Sequence, residues 1–104
     1  MLKPIRNHVY MADVGHGDKP WLVVSNNHRN GNLDTVLAVR ITTTDKQAAA
    51  PTVVPLSAHD PLVGWALCDD LVQLFHDELK RHMGVLTAPT MRDVEDGLRI
   101  AMSL

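Results

Sequence analysis

What most constrains this chain is a change of period along its length. Up to about residue 67, short runs rich in Val, Ile, Thr and Trp are separated by turn formers: Gly15-His16-Gly17-Asp18, Asn30-Gly31-Asn32, the 48–51 stretch and His59-Asp60-Pro61. Runs of this kind between Gly, Pro, Asn and Asp clusters read as strands. They predict strands at about 8–14, 20–25, 33–44, 51–56 and 63–67. From Thr87 onward Met91, Val94, Leu98, Ala101 and Met102 recur at helical spacing, with Arg92, Asp93, Glu95, Asp96 and Arg99 opposite. That predicts an amphipathic C-terminal helix. Thr87 is its expected N-cap, Pro89 is tolerated in the first turn, and Glu95 and Arg99 form an i,i+4 pair. Gly97, which weakens a helix, marks close packing on the sheet. Several short strands and one helix give a mainly β domain, a small sandwich or barrel with a helix appended.

Two segments are less sharply defined. In 69–83, Leu71, Leu74, Phe75, Leu79 and Met83 fall at helical spacing behind Asp69-Asp70, while 71–74 also suits a short strand. The period favours the helix. The Asn-rich stretch 26–32 reads as a tight turn or as a larger, mobile loop.

Composition removes several classes of function. The 104 residues, 45 % hydrophobic and 21 % charged, without repeats or a linker, describe a single globular domain over 1–104. Aromatic residues make up only 4 %, so the core is thin and dimerisation would add to it. The longest apolar runs, 21–24 and 36–39, fall far short of the ~20 residues that cross a bilayer. The first residues carry positive charge with no apolar run behind them, so a cytoplasmic rather than a secreted protein is expected.

Cys68 is the only cysteine, which excludes an internal disulfide or a CxxC pair; after Trp65-Ala66-Leu67 it reads as a buried, inert thiol. His76 and His82 are six residues apart rather than four, and no HExxH is present, so no metal or cofactor is expected. The net charge of -2 hides an asymmetry: residues 1–47 carry six Lys or Arg against four Asp, and residues 48–104 four against eight acidic residues. A broad basic coat is excluded, but the first half can still build a local positive patch.

In the third strand the period of two places Arg40, Thr42 and Thr44 on one face and Val39, Ile41 and Thr43 on the other. One face is therefore polar, either as a site or simply as a solvated strand face. His16 lies in the glycine-bracketed loop just before Lys19, where an imidazole can reach a phosphate or carry a proton. Gly15-x-Gly17 is a hairpin loop rather than a dinucleotide motif, and Ser25 lacks the nucleophile elbow of a serine hydrolase. Trp21 and Trp65 are assigned to core packing rather than base stacking.

The order of several short motifs adds a family. Val9-Tyr10-Met11-Ala12-Asp13-Val14, a Gly-containing loop, then Lys19-Pro20-Trp21-Leu22-Val23-Val24-Ser25-Asn26-Asn27 resembles the start of the MazF/PemK toxins of type II toxin-antitoxin systems. Ala38-Val39-Arg40-Ile41-Thr42-Thr43 looks like that family's third strand, and Pro51-Thr52-Val53-Val54 like the next. Gly64-Trp65-Ala66-Leu67-Cys68-Asp69-Asp70 and the closing helix match its later segments. The chain looks most like the mycobacterial and actinobacterial branch, which carries KPWLIVSNN in place of RPVVVVSND.

The resemblance implies an SH3-like β-barrel of the MazF/PemK/CcdB type, a homodimer, and a MazE-like antitoxin as partner. For 69–83 it implies a strand, a brief helix near 76–81 and a strand at about 83–86. It implies a metal-independent endoribonuclease for single-stranded mRNA, tRNA or rRNA, in which the RNA 2'-hydroxyl attacks the adjacent phosphorus. The products are a 2',3'-cyclic phosphate and a 5'-hydroxyl. Lys19 and Thr42 match the family's catalytic positions, with His16, Gly17, Asp18, Arg40, Thr43, Thr44 and Asp69 expected to contact RNA. Two departures stand out. Lys19 replaces an Arg, a point charge in place of a bidentate fork, and Asp70-Leu71-Val72 lacks the usual basic residue. The alternatives are a non-enzymatic gyrase poison like CcdB, whose Trp-Gly-Ile ending is not matched by Ala101-Met102-Ser103-Leu104, and a catalytically weak module binding RNA or antitoxin.

Overall fold

The computed structural model describes residues 3–44 and 46–104; Met1 and Leu2, part of the N-terminal segment read above for a signal, and Asp45 lie outside it. The strands are β1 (His8–Asp13), β2 (Asp18–Val23), β3 (Thr35–Thr42), β4 (Val53–Pro55), β5 (Trp65–Phe75) and β6 (Arg81–Val85). A short helix α1 (Asn27–Asn32) joins β2 to β3, a 3-10 turn (His76–Glu78) follows β5, and α2 (Ala88–Met102) closes the chain. The strands form one six-stranded sheet in the order β4-β5-β3-β2-β1-β6. Every pairing is antiparallel.

Alternation along the strands buries both faces of the sheet. Val9, Leu22, Val39, Ile41, Val54, Ala66 and Cys68 pack against Met91 and Val94 of α2. Tyr10, Ala12, Trp21, Val23, Val36, Ala38 and Leu74 form a second core on the other side. The polar face expected of β3 is therefore only half polar: Val36 and Ala38 share the face of Arg40 and Thr42 and are fully buried. Polarity is confined to the end of the strand, and that end builds the site.

The helical reading of 69–83 is overturned. β5 continues to Phe75, and the family-derived order of strand, short helical turn and strand holds, with the turn only three residues long. The reason is a bulge. Against β3, Leu67 lies opposite Arg40 while Leu71 lies opposite Val39, so Cys68, Asp69 and Asp70 have no counterparts. Extra residues in one strand shift its inward-facing set and erase the period of two.

The Asn-rich stretch is likewise neither a tight turn nor a plain loop. Asn26 Oδ1 accepts from the N–H of Arg29 at 2.8 Å and so caps α1. Asn30, fully buried, donates to the Ser25 carbonyl at 2.9 Å, while Ser25 Oγ donates to Asn30 Oδ1 and accepts from the N–H of Leu37 at 3.0 Å. Asn27 Oδ1 accepts from the N–H of Arg6 at 2.8 Å. The Ser25-Asn26-Asn27 motif thus serves the fold.

Helix α2 packs as its period predicts at Met91, Val94 and Gly97, although Met102 remains exposed. A Cβ on Gly97 would lie 2.7 Å from Cys68 Sγ and 3.1 Å from Val54 Cγ2, the close approach expected of this glycine. The predicted Glu95–Arg99 pair does not form: Glu95 pairs with Arg6 at 2.8 Å and Arg99 with Asp96 at 2.9 Å. Thr87 occupies the N-cap position without a capping side-chain bond. Asp60 does that work from the preceding loop, its carboxylate accepting from the Thr87 N–H at 2.8 Å and the Thr90 hydroxyl at 2.6 Å. No helix among the described residues is long and apolar enough to cross a membrane.

Candidate active site

β2 and β3 run side by side with Trp21 opposite Arg40, which brings the start of β2 beside the end of β3. There Lys19 and Thr42 line one cavity of about 350 Å³, together with Asp18, Arg40, Thr43 and Thr44. Leu62 and Val63 close its far wall, Val63 almost fully exposed. Six of the nine residues expected to act on RNA therefore meet at one place.

Thr42 is the most constrained of them. It is 9 % exposed, and its Oγ1 accepts from the N–H of Thr44 at 3.1 Å. That bond occupies a lone pair and leaves the hydroxyl hydrogen to be donated. Gly64, with φ of +139°, lies against the backbone of Thr42, where a Cβ would come within 3.0 Å of the Thr42 carbonyl carbon. Arg40 is half-buried and its Nε–H has no partner. Asp18 is held at the rim by Lys80 at 2.8 Å.

His16 lines a neighbouring cavity of about 410 Å³ that shares Lys19 and Arg40 with the first and also takes in Trp21, Asp70 and Val72. Its loop is shaped from within. Asp13 Oδ1 accepts from the N–H of Gly15 at 2.7 Å and of Gly17 at 3.1 Å, and the two glycines adopt φ of +110° and +87°. These N–H bonds, that of Gly15 foremost, hold the Asp13 carboxyl below its usual range. Gly17 lines neither cavity; its place is in the backbone of the loop.

The structure does not bring Asp69 to the site. It is exposed within the bulge, where its carboxylate accepts from the Thr52 hydroxyl, and Asp70 rather than Asp69 lines the second cavity. A one-residue shift within Asp69-Asp70 depends on the bulge, which no residue pattern announces. Asp70 stood out in the sequence only as part of the Asp70-Leu71-Val72 departure and not as a site residue, and Gly64, Leu62 and Val63 were not read as site residues at all. Elsewhere, the histidines behave as structural groups: His82 contacts His8 at 2.9 Å, and His76 lies in the 3-10 turn. Cys68 is buried, and burial followed by the charge of Asp69 pushes its thiol up to about 11, so it is inert as expected.

Residues 5–102 match the family model described as PemK-like, MazF-like toxin of type II toxin-antitoxin system. This chain belongs to that family. It is 42 % identical, over all of its own length and 97 % of theirs, to Endoribonuclease MazF4 of Mycobacterium tuberculosis and Endoribonuclease MazF1 of Mycobacterium bovis. A mycobacterial endoribonuclease solved in complex with its cognate antitoxin superposes on this MazF-like chain with a TM-score of 0.93 at 42 % identity, covering 97 % of this chain and 96 % of that one. MazF in a MazE–MazF structure from Deinococcus radiodurans superposes at 0.84 with 23 % identity, over 100 % and 99 % of the two chains, which shows the shared fold.

Proposed function

We propose that this toxin is an endoribonuclease that cuts single-stranded RNA at short sequences without a metal, acts as a homodimer and is silenced by a MazE-like antitoxin. The observation that carries the reading is the meeting of Lys19, Arg40 and Thr42 in one cavity, in a chain similar over its full length to endoribonucleases. A phosphodiester in that cavity has two cations beside it and a hydroxyl donor with its proton free. The RNA 2'-hydroxyl attacks phosphorus, its proton leaves, the P–O5' bond breaks and the departing oxygen takes up a proton. The products are a 2',3'-cyclic phosphate and a 5'-hydroxyl. Lys19 and Arg40 neutralise the charge that develops on the phosphorane, Thr42 donates to a non-bridging oxygen, and Lys19 also serves the leaving oxygen. His16, in the adjoining cavity, carries the second proton.

The test uses purified wild-type and Lys19→Ala proteins with total RNA in EDTA, followed by mapping of new 5'-hydroxyl ends. Discrete cuts made by the wild type and lost in the variant are expected. A folded, antitoxin-free protein that cuts nothing would overturn the nuclease reading.

A further inference from the structure

The second cavity has walls that the proposed chemistry leaves largely unused. Its volume of about 410 Å³ lies in the range of small-ligand pockets, ~300–1,000 Å³. It shares Lys19 and Arg40 with the cleavage cavity, so whatever occupies it adjoins the scissile linkage.

Its polar groups are of both kinds. Trp21 is 2 % exposed, and its indole N–H has no partner. The Arg40 Nε–H is likewise buried and unpartnered. Buried N–H groups are nearly always satisfied, and two of the residues lining this cavity each carry an orphan N–H, which suits an acceptor-bearing ligand. On the same walls, Asp70 makes no hydrogen bond or ion pair among the described residues. A second phosphate would be repelled by that carboxylate, whereas a nucleobase edge that carries both donors and acceptors suits the set.

Among the four bases only guanine presents two adjacent donors, N1–H and the N2 amino group, to the two oxygens of a carboxylate. It also offers O6 and N7 as acceptors to an arginine or an indole N–H. Val72 and Val14 supply apolar wall for the ring. Splayed single-stranded bases are read in such pockets. We infer that this cavity is a guanine subsite for the nucleotide next to the cleaved linkage, with Asp70 as the residue that selects the base. The inference rests on the nuclease reading for its position, but base preference is measurable without cleavage.

The experiment has two arms. In the first, binding of short single-stranded 2'-deoxy oligonucleotides, differing only in one central base (G, inosine, A, C or T), is followed by fluorescence anisotropy with wild-type, Asp70→Asn and Asp70→Ala proteins. The wild type should prefer guanine over inosine, which lacks the N2 amino group, by about tenfold or more, the scale of one good bidentate contact. Both variants should lose that preference. The inosine comparison uses unaltered protein and so does not depend on how the variants fold. In the second arm, the ribo-oligonucleotides are scored for new 5'-hydroxyl ends, with cuts expected beside the guanine. A wild type with no guanine preference, or Asp70→Asn retaining it, would overturn the subsite. A guanine preference in binding with no cut in the ribo-oligonucleotides would sustain the subsite and overturn the nuclease reading.

Discussion

Gly64 presses on the backbone of Thr42 so closely that a methyl group there would stand 3.0 Å from the Thr42 carbonyl carbon and closer still to its oxygen. A glycine with no chemistry of its own thus sets the position of the hydroxyl assigned to the phosphate. Gly64→Ala should push the end of β3 outward and lower RNA cleavage by about 100-fold, the loss typical of an ångström-scale misplacement. Gly15→Ala is the control, since Gly15 also has positive φ, +110°, but has nothing within 4 Å of a Cβ. It carries backbone strain without that contact, in the loop that bears His16. Its cleavage should therefore fall less than that of Gly64→Ala, and equal losses would count against the contact with Thr42.

Charge and hydroxyl at the site separate in a short substitution series. Lys19→Ala should reduce cleavage by ~100- to 1,000-fold, as removal of a preorganised donor to developing charge does. Lys19→Arg, which keeps the positive charge, should remain within about tenfold of the wild type. Thr42→Ser should retain most activity and Thr42→Val should not, because only serine keeps an O–H that accepts from Thr44 and donates onward. Initial rates on one labelled RNA decide all four.

These residues also show how much was readable from sequence. Lys19, Arg40 and Thr42 could be placed together because a period of two and a motif order fix β2 and β3, and short antiparallel strands separated by turns obey that period closely. Asp70 could not, because the bulge at Cys68, Asp69 and Asp70 decides which carboxylate faces the groove. That decision depends on packing between β3, β5 and α2. α1 was missed for a related reason: Asn and Gly are turn formers locally, and it takes the buried Ser25–Asn30 bonds to make a helical turn favourable. Gly97, by contrast, was legible, since glycine weakens a helix and its place on the inner face suits a point where the sheet leaves no room for a side chain.

The Gly97 contact predicts a rescue. Gly97→Ala gains about 1 kcal/mol of helix propensity but places its methyl 2.7 Å from Cys68 Sγ, and overpacking costs about 1–3 kcal/mol. The variant should be less stable than the wild type. Cys68→Ala removes the sulfur and leaves a small cavity. The double variant should be more stable than the sum of the two single effects, a coupling expected only of residues in contact. Urea denaturation of the four proteins closes the cycle, and strict additivity would rule out the clash.

Asp60 gives the fold an acid-sensitive joint. Burial pushes its carboxyl up, but the Thr87 N–H, the Thr90 hydroxyl and the N–H and hydroxyl of Ser57 together outweigh burial and bring it from 3.8 to about 2. The carboxylate also faces the N-terminus of α2, where negative charge is favoured. Because the folded value lies below the unfolded one, the stabilisation is fully present above about pH 4 and is lost as the pH falls through the 3.8-to-2 window. Allowing for partial solvent exposure, the contribution is about 1 kcal/mol. Asp60→Asn should therefore be less stable than the wild type by about that amount at pH 7, and the gap should shrink toward zero near pH 2. The other carboxylates are common to both proteins and cancel in the difference. Denaturation midpoints at pH 7, 5, 3 and 2 measure the gap directly, and a gap that stays constant across that range would show that Asp60 does not act on α2 through its charge.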